Sequence, residues 1–238
     1  MNIVLVHGAW HGGWGWKRLT PLLRRAGHEV FTPTLTGLGE RAHLAGAGVD
    51  LETHIRDVVG VLEAEELENV MLLGHSYGGM VVTGAADRMP KRIARLVYLD
   101  AFVPQDGKSL MDYVLPERAA RFREEGERAG SVTPPPPSLW GITSPEDTAW
   151  LLRRESRHPY AAMRQPVRLR NPAALARIPK AFIYCASPAT GSFDQFAAKL
   201  RNDPAWRFFE LATGHDAMIL VPDLLAGILL ELTKETAA

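Results

Sequence analysis

Short apolar runs that end in glycine or a polar turn alternate along the chain with segments whose apolar positions recur every three or four residues. The runs lie at 3–6, 28–31, 70–73, 96–99, 181–185 and 207–211. Strands alternating with helices in this way predict a six-stranded parallel sheet with helices on both faces. Leu51, Ile55, Val58, Val59 and Leu62 fall on one helical face behind Asp50, an N-cap candidate, and Phe193, Phe196, Ala197 and Leu200 repeat the pattern later. These faces read as core. Residues 103–175 break the rhythm: no strand is expected there, and short helical stretches mix with loops and the run Pro134 to Pro137. The reading is an inserted helical cap at 103–175 on a core formed by 1–102 and 176–238, with the prolines as a stiff connector and no internal repeat.

Length and composition narrow the function classes. A chain of 238 residues fits one α/β domain better than two. Hydrophobic residues at 46% and charged residues at 23% exclude disorder. Basic and acidic residues balance at 27 each, so no long-range field draws nucleic acid or a membrane surface, and a small-molecule substrate is the default partner. The lone Cys185 excludes an internal disulfide and reads as a buried strand thiol. With a strand expected from Asn2 and no long apolar run, a signal peptide and a membrane span are not expected, and the cytoplasm is the expected location.

The chemistry centres on Gly74-His75-Ser76-Tyr77-Gly78-Gly79, which follows the run 70–73 and precedes a helical stretch ended by Pro90. Gly-x-Ser-x-Gly alone arises by chance in roughly one chain of this length in ten, so the flanks carry the argument. Between strand and helix, the glycines permit a sharp turn that thrusts the serine hydroxyl outward. A hydroxyl is a poor nucleophile at neutral pH and needs a base, which in this motif's chain order is a late histidine. His215, in Gly214-His215-Asp216 past the last predicted strand, fits. The Tyr77 backbone N–H is one oxyanion donor. Ala9 is the expected second, because in a sheet ordered 2-1-3-4-5-6 the ends of the first and third strands flank the switch-point crevice. His7 and His11 have metal-like spacing, but glycines argue against a helix and no further ligand is near, so no metal or cofactor is expected.

Two acids compete to orient His215. Asp100 ends the fourth strand, where an unpaired carboxylate among apolar neighbours is costly. Asp194 follows the fifth strand, but Ser192-Phe193-Asp194-Gln195 also reads as a capping box. Asp216 breaks the usual Ser, acid, His order.

Val4-Leu5-Val6-His7-Gly8-Ala9-Trp10-His11-Gly12-Gly13-Trp14, Gly74 to Met80 and Gly214-His215-Asp216-Ala217-Met218 together resemble the plant methyl-ester esterase and hydroxynitrile lyase branch of the α/β-hydrolases, and bacterial carbendazim-hydrolase-like esterases. The resemblance covers most of the chain outside the cap. It implies the α/β-hydrolase fold with a helical cap, Ser76 and His215 as catalytic residues, Ala9 and Tyr77 as oxyanion donors, and a homodimer as a family-level expectation. Where the plant enzymes carry their acid, this chain reads Ala186-Ser187-Pro188. Haloalkane dehalogenases, distant relatives, can place their acid at the position that aligns with Asp100, which supports Asp100 over Asp194 as the third catalytic residue. Hydroxynitrile lyases carry Lys and Thr where Asp216 and Ala9 stand here, so hydrolysis is favoured over lyase chemistry.

The expected function is a serine hydrolase that cleaves a small carboxylic ester through an acyl-enzyme on Ser76. Carbamate or amide cleavage on the same machinery, or a noncatalytic ligand-binding receptor of the same fold, are the alternatives. Trp10, Phe102, Leu139, Trp140, Trp150 and Met218 are the candidate substrate contacts. The arginines from Arg153 to Arg170 read as a solvated surface rather than an anion site.

Overall fold

In this computed structural model, which describes residues 1–235, the strands are β1 (Asn2–Val6), β2 (Glu29–Phe31), β3 (Val70–His75), β4 (Ile93–Leu99), β5 (Ser131–Val132), β6 (His158–Pro159), β7 (Lys180–Cys185) and β8 (Trp206–Leu211). The α-helices are α1 (Thr20–Arg25), α2 (Leu51–Ala64), α3 (Gly78–Arg88), α4 (Pro116–Ala129), α5 (Pro145–Leu152), α6 (Tyr160–Arg164), α7 (Pro172–Arg177), α8 (Asp194–Leu200), α9 (Ala217–Leu220) and α10 (Pro222–Glu235).

Successive side chains of a strand point to opposite faces, and the buried strands use both. Val4, Val6 and Leu72 join the apolar cluster on one face, with α2 and α3; Ile3, Leu5, Met71 and Leu73 join the cluster on the other, with α10. Six strands form one parallel sheet in the order β2-β1-β3-β4-β7-β8. Counted among the sheet's own strands, this is the expected order 2-1-3-4-5-6. The order reverses between β1 and β3, which puts a crevice at their carboxyl ends.

Sequence periodicity placed α2 well. Its N-cap Asp50 accepts from the Thr53 N–H at 2.9 Å, and Leu51, Ile55, Val58 and Leu62 are buried while Val59 is half-buried. His54 completes the buried face. β4 starts at Ile93, three residues before the expected run, because Arg95 interrupted the apolar pattern; it is 5% exposed and pairs with Glu235 at 3.3 Å.

The segment between β4 and β7 contributes nothing to the main sheet, but it is not free of strands as expected. β5 and β6 pair antiparallel, Ser131 opposite Pro159 and Val132 opposite His158. At two residues each they are too short for alternation to register in sequence. The capping box expected at α8 is also absent. Phe193 is the N-cap, and the Ser192 hydroxyl instead accepts from Arg118 Nη1 at 3.0 Å. Among the described residues no helix is long and apolar enough to cross a membrane.

Candidate active site

β3 passes into α3 within two residues, and the turn places Ser76 at φ 54°, in the left-handed region that costs a non-glycine residue roughly 1–3 kcal/mol. Backbone contacts fix it there. The Ser76 N–H donates to Leu99 O and the Phe102 N–H donates to Ser76 O, both at 3.2 Å, binding the turn to the end of β4. A Cβ on Gly79 would sit 2.1 Å from Phe102 O, and one on Gly8 would sit 2.9 Å from Ser76 Cβ, so both close approaches require glycine. The chain leaving β1 therefore lies directly against the serine.

The same hydrogen bonds bring the end of β4 beside Ser76. Asp100 follows Leu99 at φ 40°, its N–H donating to Ile183 O at 2.7 Å. Its Oδ1 accepts from the Cys185 N–H at 3.2 Å, and its Oδ2 accepts from His215 Nδ1 at 2.6 Å. Both side chains are buried. Asp194, the rival acid, lies elsewhere and accepts from the Tyr184 hydroxyl at 2.8 Å. His215 is sandwiched by apolar rings: Phe193 stacks at 5.0 Å and Trp140 lies at 4.9 Å. Burial lowers its imidazole to about 4 and pushes the Asp100 carboxyl well up. The imidazole is thus neutral at neutral pH, as a base must be, with its Nδ1 proton held by Asp100.

The loop leaving β1 is braced from the segment between β4 and β7. Trp10, at φ 65°, accepts at its carbonyl from the Ser156 N–H at 3.0 Å, donates its indole N–H to Val132 O at 2.9 Å, and donates its backbone N–H to His158 Nδ1 at 3.4 Å. The Tyr77 ring is fixed by its hydroxyl, which donates to His54 Nδ1 at 2.8 Å, while His54 Nε2 donates to Thr36 O. Ala9, Ser76 and Tyr77 line one cavity of about 50 Å³. This is well below the roughly 300–1,000 Å³ of ordinary ligand pockets, so the cavity is narrow.

Four of the six candidate substrate contacts line that cavity: Trp10, Phe102, Leu139 and Trp140. Trp150 does not. It packs edge-on to Trp14 at 5.0 Å beneath the guanidinium of Arg18. Met218 is fully buried with Ile3 and Leu5 in the cluster on the far face. Size and proximity in sequence do not say which face a short helix turns inward. Sequence reasoning missed Arg118, Phe122, Met163 and Phe193, which do line the cavity. Arg118 and Phe122 sit on α4, whose charged sequence reads as a solvated helix; the lone aromatic Phe122 within it was the available signal. Arg153, Arg154, Arg157, Arg164, Arg168 and Arg170 are all exposed and away from the cavity.

Behind His215 lies a second buried cluster. His7 is spent on backbone, its Nδ1 donating to Gly8 O and its Nε2 accepting from the Leu35 N–H. Asp216 is fully buried, with His11 Nε2 and His75 Nε2 each 3.6 Å from its oxygens. His75, His215 and Asp216 bring ligand-type atoms within 4.8 Å of one another, though His215 is engaged with Asp100. Burial opposes charge on His11, but the Asp216 carboxylate outweighs it and raises the imidazole to about 9. Burial likewise opposes the Asp216 charge, and His11 overcomes it, holding the carboxyl at about 2.

Such a pair stabilises the fold within a pH window. The Asp216 contribution is present above the unfolded value near 3.9 and lost as pH falls through about 2; the His11 contribution is present below about 6.5 and lost as pH rises through about 9. Asp216→Asn leaves the buried imidazole uncompensated and is expected to lower stability near pH 6 by ~3–5 kcal/mol, less above pH ~9. Urea unfolding at both pH values measures this, and an unchanged midpoint at pH 6 contradicts the pairing.

Residues 3–228 match the model of the alpha/beta hydrolase family. The chain is 43% identical over 235 residues to a carbendazim hydrolyzing esterase of Nocardioides sp., covering 94% of this chain and 96% of that one. It is 28% identical over 258 residues to methylesterase 2 of Arabidopsis thaliana, covering 96% and 94%. Among solved structures, an extracellular alpha/beta-hydrolase from a Paenibacillus species superposes with a TM-score of 0.84 at 25% identity, covering 97% of this chain and 98% of that one. With a matched sheet order, a strained serine turn between β3 and α3, and relatives aligned almost end to end, the chain belongs to the alpha/beta hydrolase family.

Proposed function

We propose that the protein is a serine hydrolase that cleaves small carboxylic esters through an acyl-enzyme on Ser76. The observation that carries this reading is the 2.6 Å bond from His215 Nδ1 to Asp100, set beside the strained Ser76 turn. Relatives named as esterases support the reaction class.

In the proposed mechanism, Ser76 Oγ attacks the acyl carbon while His215 Nε2 takes its proton. The oxyanion is held by the N–H groups of Ala9 and Tyr77. As the tetrahedral intermediate collapses, the imidazolium returns the proton to the departing alkoxide, leaving the acyl group on Ser76. Water then attacks this ester, its proton passing to His215, and the second collapse frees the acid and the serine. Asp100 accepts the hydrogen bond from Nδ1–H throughout and stabilises the transient imidazolium. Among the described residues the Ser76 hydroxyl has no hydrogen-bond partner in this state; such contacts tighten when substrate binds.

The state of His215 gives the test a sign. Protonation removes the base, so kcat/KM for a short-chain aryl ester is expected to fall on acidification. The fall is expected below the ordinary histidine value of 6.5, toward about 4, because burial disfavours the imidazolium. A flat profile through that range, or no turnover of any ester, contradicts the assignment.

A further inference from the structure

The cavity is walled mainly by aromatic and aliphatic side chains, and among the described residues only two cations line it, Arg118 and Arg121. Arg121 is compensated. Its Nε lies 3.2 Å from Glu125 Oε1, and Nη2 donates to Thr133 O. Arg118 has no carboxylate within ion-pair distance among the described residues. Its Nη1 donates to the Ser192 hydroxyl and its Nη2 to Thr190 O, both at 3.0 Å, which uses two of five N–H donors. It is half-buried and lies over the Trp140 ring at 6.0 Å, and that ring in turn packs on His215 at 4.9 Å. Arg118 therefore places a positive charge one ring away from the catalytic imidazole, offset only at longer range by the exposed neighbour Glu117. A partly desolvated guanidinium is costly without an anionic partner, and its planar fork is matched to a carboxylate.

Building on the serine-esterase reading, we propose that Arg118 determines specificity by binding a free carboxylate on the substrate, which makes the preferred class half-esters of aromatic dicarboxylic acids. The flat walls supplied by Trp10, Phe102, Phe122 and Trp140 take the ring. Ser76 meets the ester carbon at one side of the ring, and Arg118 meets the carboxylate at the other. Even one charge-assisted hydrogen bond of this kind corresponds to a preference of roughly 10-fold to 100-fold over the neutral ester.

The test compares kcat/KM for monomethyl isophthalate and methyl benzoate in the wild type, Arg118→Gln and Arg118→Lys. The wild type is expected to favour the half-ester at least 10-fold, Gln to collapse that ratio toward one, and Lys to retain part of it with a stronger salt dependence. If Arg118 merely clamps the Thr190 to Ser192 loop, Gln lowers both rates together and the ratio is unchanged, which overturns the proposal. A wild-type ratio near or below one also overturns it. Calorimetric binding of isophthalate to Ser76→Ala protein, with and without Arg118→Gln, separates this inference from the chemistry. Arg118-dependent binding without turnover of any ester refutes the esterase reading and keeps the anion site, whereas binding indifferent to Arg118 refutes the anion site.

Discussion

Ser76→Ala is expected to lower kcat/KM for ester hydrolysis by on the order of 10⁴-fold or more, leaving only what binding and oxyanion donors supply. The loss is expected without unfolding. The turn is held by backbone hydrogen bonds to Leu99 and Phe102, which alanine keeps, and the hydroxyl has no partner among the described residues to forfeit. Alanine also inherits the φ of 54° with a Cβ of the same size. Rates on a short-chain aryl ester, read beside the urea midpoint, separate the chemical effect from a structural one. Activity retained within 10-fold in a folded variant contradicts the role given to Ser76.

The second large effect is expected at Asp100. In Asp100→Asn the amide oxygen can still accept from the Cys185 N–H, as Oδ1 does at 3.2 Å, and the NH₂ then faces His215 Nδ1 in place of Oδ2. A donor in that position forces the imidazole proton onto Nε2, so the nitrogen needed to take the serine proton is already occupied. A drop in kcat of about 10⁴-fold with little change in KM follows from the wrong tautomer. Asp194→Asn, whose amide oxygen can still accept the surface hydrogen bond from the Tyr184 hydroxyl, is expected to stay within a few-fold of wild type. The reverse ranking returns Asp194 to the catalytic role.

How much of this was readable in the chain varies with the range of the interaction. Strand and helix periods are local, so the sheet, its order and α2 were legible, as was the serine turn between a strand and a helix. Asp100 was legible as the favoured of two rival acids. Nothing in sequence fixes that its φ of 40° turns the carboxylate toward a histidine 115 residues away. The bracing of Trp10 by Val132, Ser156 and His158 depends on how the segment between β4 and β7 folds back over the end of β1, and neither β5 nor β6 is long enough to announce itself. Arg118 was hidden by composition, since an arginine in a helix rich in Glu and Arg reads as solvated until tertiary packing turns one face inward. Trp150 and Met218 failed for the converse reason, being large and apolar but turned into packing.

The most direct test of the central claim is mass spectrometry of the wild-type protein quenched during turnover of an aryl ester, followed by mapping of the modified peptide. The account predicts an acyl increment on Ser76 that is absent from Ser76→Ala and disappears once substrate is exhausted. Turnover with no acyl-protein, or an increment on a residue other than Ser76, contradicts it.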